Sequence, residues 1–113
     1  HWLALGDMAE LGQDSQSLHQ DAVKYAQQSG VKRYFAIGEQ SCSCVSEFGE
    51  QGFCFTAHEK MAGLIAGELT QGINLLIKGS RSAGMEKLVQ LLKANNSMLH
   101  NMAGSAKEGC HAL

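Results

Sequence analysis

The stretch Ile73-Asn74-Leu75-Leu76-Ile77-Lys78-Gly79-Ser80-Arg81-Ser82-Ala83-Gly84-Met85 reads as one strand–loop–helix unit, and its reading decides the fold. Ile73–Ile77 is a short apolar run with little polar alternation, the pattern of a strand covered on both faces. Met85, Leu88, Val89 and Leu92 then fall at i, i+3, i+4 and i+7, the stripe of a half-buried helix. Between strand and helix stand two cations, two hydroxyls and a glycine, in Lys78-Gly79-Ser80-Arg81-Ser82.

The same unit recurs upstream. Trp2–Leu5, Tyr34–Ile37 and Phe53–Phe55 are further apolar runs, and they end at Gly6, Gly38 and Thr56. Ser17-Leu18-His19-Gln20 matches a capping box and predicts a helix with Leu18, Ala22, Tyr25 and Ala26 on its apolar stripe. Gly30 sits where a left-handed C-terminal cap is expected. Thr56-Ala57-His58-Glu59 matches a second box, for a helix striped by Met61, Leu64, Ile65 and Leu69 and ended by Gly72. Val45 and Phe48 hint at a short helix within Gln40–Phe48. The order β-α-β-(α)-β-α-β-α predicts an α/β fold, with right-handed crossovers and a mostly parallel sheet carrying helices on both faces. Residues 1–94 make up this domain, and residues 95–113 read as a loosely packed or frayed tail.

Composition narrows the class. A length of 113 residues suits one domain, whose core needs no metal or disulfide staple. The net charge of −2 offers no basic field for nucleic acid or an anionic membrane. No stretch approaches the roughly 18 apolar residues of a membrane span, and no signal peptide opens the chain, so the expected compartment is the cytoplasm. The opening His1-Trp2, in place of Met, reads as a piece of a longer protein. Without a secretory signal the 4 cysteines are expected as reduced thiols. Cys42 and Cys44 are too close for an unstrained disulfide, and Cys54 is expected as a small hydrophobe in a buried strand. The spacing of Cys42, Cys44, Cys54 and His58 matches no common zinc site, so no metal ligands are expected here. His19 and His58 fall in first helical turns and read as surface or capping residues; no Ser/His/Asp or Cys/His constellation can be assembled.

Ligands of such sheets gather beyond the carboxyl ends of the strands. That rim holds Gly6-Asp7-Met8, Gly38-Glu39 and Lys78-Gly79-Ser80-Arg81. The loop Gly6–Gly12 carries two carboxylates, which suit a magnesium ion, a cationic group or a hydroxyl, or are simply solvated. Lys78–Ser82 precedes a helix N-terminus, which suits a phosphate or carboxylate, or is an ordinary helix start with exposed cations. It is not a P-loop, because the glycine and lysine order is wrong.

Taken together, Leu5-Gly6-Asp7-Met8-Ala9-Glu10-Leu11-Gly12, His19, Ile77-Lys78-Gly79-Ser80-Arg81-Ser82 and Met85-Glu86 resemble the C-terminal domain of the Mur ligase family. The likeness runs from about Trp2 to Leu92 in the same element order, and points to the members that join D-Ala-D-Ala to UDP-MurNAc-tripeptide. It implies a Rossmann-like three-layer α/β/α domain of a bacterial cytoplasmic enzyme. The whole enzyme would use ATP and Mg2+ to activate the tripeptide carboxylate as an acyl phosphate, which the amine of D-Ala-D-Ala attacks. The resemblance also implies that this domain closes over a central ATP-binding domain holding the P-loop and most catalytic groups. The isolated chain is then expected to contain no catalytic residue of its own and to be inactive. On closure, Asp7, Lys78, Ser80, Arg81 and Ser82 are the expected substrate or nucleotide contacts. The family's Asp-Ser-Tyr-Asn-Ala-Asn-Pro-like stretch is missing ahead of Trp2, so the domain is expected to be N-terminally truncated. The reading from another class is a free-standing α/β module that binds a nucleotide or a protein.

Overall fold

The computed structural model describes residues 1–8 and 12–95. Ala9, Glu10 and Leu11 of the first candidate loop, and the expected tail beyond Asn95, lie outside the described residues. Strands β1 (Trp2–Gly6), β2 (Arg33–Ile37), β3 (Gly52–Phe55) and β4 (Leu75–Lys78) form one sheet in the order β3-β2-β1-β4, and every pairing is parallel. The helices are α1 (Ser15–Gln28), α2 (Glu39–Cys42), α3 (His58–Glu68) and α4 (Met85–Asn95). The expected short helix is split into α2 and 3₁₀ turns over Val45–Gln51, kinked at Gly49.

The chain steps from β1 to β2 to β3 in one direction and then crosses to the far side of β1 for β4. Right-handed crossovers therefore put α1 and the Val45–Gln51 turns on one face, and α3 on the other. The core divides accordingly. Trp2 and Ala4 of β1 join Phe35, Ile37, Ile65 and Leu88 on the α3/α4 face, while Leu3 and Leu5 join Val23, Tyr34, Ala36 and Phe48 on the α1 face. Both faces of β1 are thus buried, which is why its sequence lacks polar alternation. At roughly 1.5–3 kcal/mol per fully buried large apolar side chain, the more populated α3/α4 layer carries most of the burial. Met61, Ile65 and Leu69, and Met85, Leu88 and Leu92, are buried as their periodicity predicts.

The predicted stripe of α1 is turned aside, and of its four residues Ala26 alone packs against the core. Leu18 is 43% exposed and Tyr25 72% exposed, while Ser15, His19 and Val23 face the sheet. The buried set is displaced by one residue, about 100° around a helix of 3.6 residues per turn. The cause is polar: the His19 ring is anchored inward by two hydrogen bonds, and the helix turns with it. Neither capping box forms. α1 starts at Ser15 after a 3₁₀ turn over Gly12–Asp14, and α3 starts at His58 with Ala57 as its cap, both without a side-chain cap bond. The C-terminal cap of α1 is as expected, with Gly30 N–H on Gln27 O at 3.2 Å and Val31 N–H on Ala26 O at 3.1 Å, a Schellman pair.

Candidate functional site

Asp7 leaves β1 and serves two neighbours at once. Its Oδ1 accepts the backbone N–H of Ser41 at 2.7 Å, and its Oδ2 that of Gln40 at 3.2 Å. The carboxylate thereby caps the first turn of α2, where unpaired N–H groups favour negative charge. Gly38, at the start of α2, has φ 106°, and a Cβ there would lie 2.5 Å from Asp7 Cγ. Only glycine meets both demands. The main-chain oxygen of Asp7 meanwhile accepts from Ser80 N–H at 3.2 Å and from Ser80 Oγ–H at 2.9 Å. Since the Ser80 hydroxyl has one proton and spends it on Asp7, its 2.8 Å partner Ser82 donates to it.

The glycines of the two loops are explained by the same junction. A Cβ on Gly6 would sit 2.6 Å from Ala83 Cβ, and one on Gly79 would sit 3.2 Å from Gly6 Cα. The two backbones approach too closely for side chains. His58, at the start of α3, donates from Nε2 to Ala83 O at 2.8 Å and ties the Lys78–Gly84 loop to that helix. It is half-buried and acts as a strut.

His19 is fully buried, which corrects the expectation of a surface or capping residue. Its Nε2 accepts the Met8 N–H at 2.9 Å, so its Nδ1–H donates to Ser15 O at 2.6 Å. Those two bonds require the neutral Nδ1–H tautomer. The ring fixes the start of the Gly6–Gly12 loop from below.

A cleft of about 620 Å³ opens at the carboxyl ends of β1, β2 and β3, a size that suits a small ligand. Its walls include Asp7, Ile37, Gly38, Glu39, Phe55, Thr56, His58 and Ser82. Of the five expected contact residues, Asp7 and Ser82 line this cleft, while Ser80 lies behind it as a brace. Lys78 and Arg81 do not line it; they stand on the adjoining rim without an ion pair among the described residues. Among the described residues no group of three His, Cys, Asp or Glu could hold a metal ion.

Sequence reasoning missed the cleft's other wall. Cys42 and Cys54 line it and are joined as a disulfide, with Cα atoms 5.2 Å apart, which corrects the expectation of reduced thiols. Sequence spacing tested only Cys42 against Cys44. The register of β2 on β3, with Ala36 beside Cys54, is what swings α2 over β3 and brings Cys42 within bridging distance. Cys54 is exposed on the edge strand, not buried in the core as expected, whereas Cys44 is buried and free. Burial pushes the Cys44 thiol up from its ordinary value. Burial likewise raises Tyr34, whose hydroxyl donates to Ser41 O at 2.6 Å beneath α2.

No family model matches the chain. It is 39% identical over 97 residues to the UDP-N-acetylmuramoyl-tripeptide–D-alanyl-D-alanine ligase of Escherichia coli K12, covering 84% of this chain and 21% of that protein. The enzyme of the same name from Buchnera aphidicola is 36% identical over 90 residues, covering 78% of this chain and 20% of that protein. The crystal structure of MurF ligase from Thermotoga maritima in complex with ADP matches with a TM-score of 0.70 over 86% of this chain and 22% of that one. At 18% identity this last likeness speaks for the fold alone. The chain spans about a fifth of the length of the curated relatives it matches. The sequence likenesses bear out the resemblance drawn from the two loops, and the structural one bears out the α/β fold.

Proposed function

We propose that this chain, a domain of the Mur ligase family, is the C-terminal domain of an ATP-dependent ligase that adds D-Ala-D-Ala to UDP-MurNAc-tripeptide in the bacterial cytoplasm. It closes over a central ATP-binding domain and catalyses nothing alone. The carrying observation is the Asp7 junction, which joins the end of β1 to the Lys78–Gly84 loop and to α2 in one rim beside the cleft. A rim braced this way presents Lys78, Arg81 and Ser82 to a neighbouring domain in a fixed arrangement, as positioning chemistry requires.

Each group has a task within that reading. Lys78 and Arg81, with no carboxylate partner among the described residues, fit an anion presented from outside, a nucleotide phosphate or a substrate carboxylate. The Ser82 hydroxyl, whose proton is spent on Ser80, offers its oxygen as an acceptor to a donor group of the ligand. Asp7 positions the rim from beneath. The Thermotoga enzyme crystallised with ADP, which supports nucleotide use by the whole ligase. Mg2+ is a different matter: both Asp7 oxygens already accept N–H groups, and the described residues assemble no ligand set for it.

The test is ligation by the full-length protein, with ATP, UDP-MurNAc-tripeptide and D-Ala-D-Ala, read as pentapeptide product by mass. Product from the full-length protein and none from the 113-residue chain is the expected result. Turnover by the chain alone would overturn the division of labour. A full-length protein that binds nucleotide but forms no amide would favour the free-standing binding module.

A further inference from the structure

We propose that Cys42 and Cys54 form a reversible redox-modification site in the cleft wall, oxidised by small-molecule disulfides, whose state sets how firmly α2 is held. Both residues line the cleft, and their Cα atoms are 5.2 Å apart. Cys54 is exposed on β3, an edge strand whose single neighbour among the described residues is β2, so a small oxidant reaches it directly.

The consequence follows from the length of α2. A helix of four residues cannot hold itself together and depends on outside tethers. At its N-terminal end it has the Asp7 carboxylate; at its C-terminal end it has the bridge from Cys42 to β3. Reduction removes the second tether and leaves Asp7, the Tyr34–Ser41 hydrogen bond and the weak contact of Cys42 Sγ to Ala36 O at 3.6 Å. The Cys42 end of α2, itself part of the cleft wall, then gains freedom, while the Glu39 end stays beside the Asp7 carboxylate.

The chemistry balances. The Cys54 thiolate attacks one sulfur of a disulfide RSSR, forming a mixed disulfide and releasing RS⁻. The Cys42 thiolate then attacks the Cys54 sulfur and expels the second RS⁻. Two protein thiols lose two electrons and two protons, and RSSR becomes two RSH. Cys44 is buried and takes no part, so it serves as an internal control.

The experiment uses the full-length protein in buffers running from reduced to oxidised glutathione. Alkylation under denaturing conditions counts the remaining thiols by mass, and hydrogen exchange follows residues 39–55. Cys42 and Cys54 should lose alkylation together and regain it on reduction, while Cys44 stays alkylatable throughout. Backbone exchange over residues 39–44 should be at least about threefold faster in the reduced protein. Cys54→Ser should hold that fast rate in every buffer. Persistent alkylation of both residues in oxidised glutathione alone would overturn the proposal, and so would an exchange ratio below that threshold in the unmutated protein. Both readouts are independent of amide ligation, so an inert ligase would count against the proposed function and not against this site.

Discussion

Asp7 Oδ1 accepts the backbone N–H of Ser41 at 2.7 Å, across 34 residues of sequence. That bond makes the strand-end aspartate a structural member before it is anything else. Its charge is spent on the start of α2, and its own carbonyl holds Ser80. The two loops that carry the family resemblance are therefore parts of one object. A ligand arriving at the cleft meets Asp7 with its oxygens already engaged, so its contribution to binding runs largely through the placement of neighbours.

Replacing Asp7 should consequently lower stability. Asp7→Ala leaves two N–H groups without their charged acceptor, at a cost of about 1–3 kcal/mol. For a domain of this size that is a fall in Tm of roughly 5–15 °C. Asp7→Asn keeps one carbonyl oxygen and should lose less. Thermal melts of the three proteins check this. An unchanged Tm with lost activity would make Asp7 a direct ligand contact instead.

Much of this was legible in the sequence, for identifiable reasons. The strand runs and the α3 and α4 stripes were readable because burial on both faces, or on one helical face, leaves a periodic trace. The pairing of Gly6-Asp7 with Lys78–Ser82 along one rim followed from the parallel order of elements. What stayed hidden depends on contacts distant in the chain. The outward turn of Leu18 and Tyr25 is set by the His19 ring, and a polar anchor is invisible to an apolar count. The Cys42–Cys54 bridge depends on the register of β2 against β3, which no local spacing encodes. The engagement of the Asp7 carboxylate required the backbone of α2 in place.

Alkaline pH should unfold the protein through two buried groups. Cys44 and Tyr34 both titrate above their ordinary values, chiefly because burial disfavours their charged forms. A raised folded value means that the unfolded chain releases its proton first as pH rises. The stabilisation is therefore complete below the ordinary thiol range and is lost progressively above about pH 9. Tm measured from pH 7 to 11 should fall across that window. Cys44→Ala should flatten the thiol part of the slope, and Tyr34→Phe the phenol part; equal slopes in all three proteins would refute the assignment.

Two glycines should respond in opposite directions to alanine. At Gly6 a Cβ would lie 2.6 Å from Ala83 Cβ and 2.8 Å from Met85 Sδ, so the Lys78–Gly84 loop must move. Gly6→Ala should cost about 1–3 kcal/mol, as overpacking does. At Gly63, inside α3, an added Cβ meets nothing within 4 Å, and its backbone is helical. Gly63→Ala should stabilise by about 0.5–1 kcal/mol through the lower entropy of the unfolded chain. Urea titration of both variants reads the two signs directly.

The rim cations supply the sharpest test of the ligase reading. Arg81 is exposed and Lys78 half-buried, and neither forms an ion pair among the described residues. Truncating them removes no internal partner, so Lys78→Ala and Arg81→Ala should leave stability within about 0.5 kcal/mol of the parent. In the full-length ligase each should nevertheless lower kcat/KM at least about tenfold, equivalent to roughly 1.4 kcal/mol of lost transition-state binding. Arg81→Lys keeps the charge and loses the planar fork, so it should fall between parent and Ala if the anion is held in bidentate fashion. Parental kinetics in both Ala variants would remove these cations from the site. A parallel fall in Tm would instead make them part of the scaffold, and the Asp7 junction would then brace a rim with no charge to present.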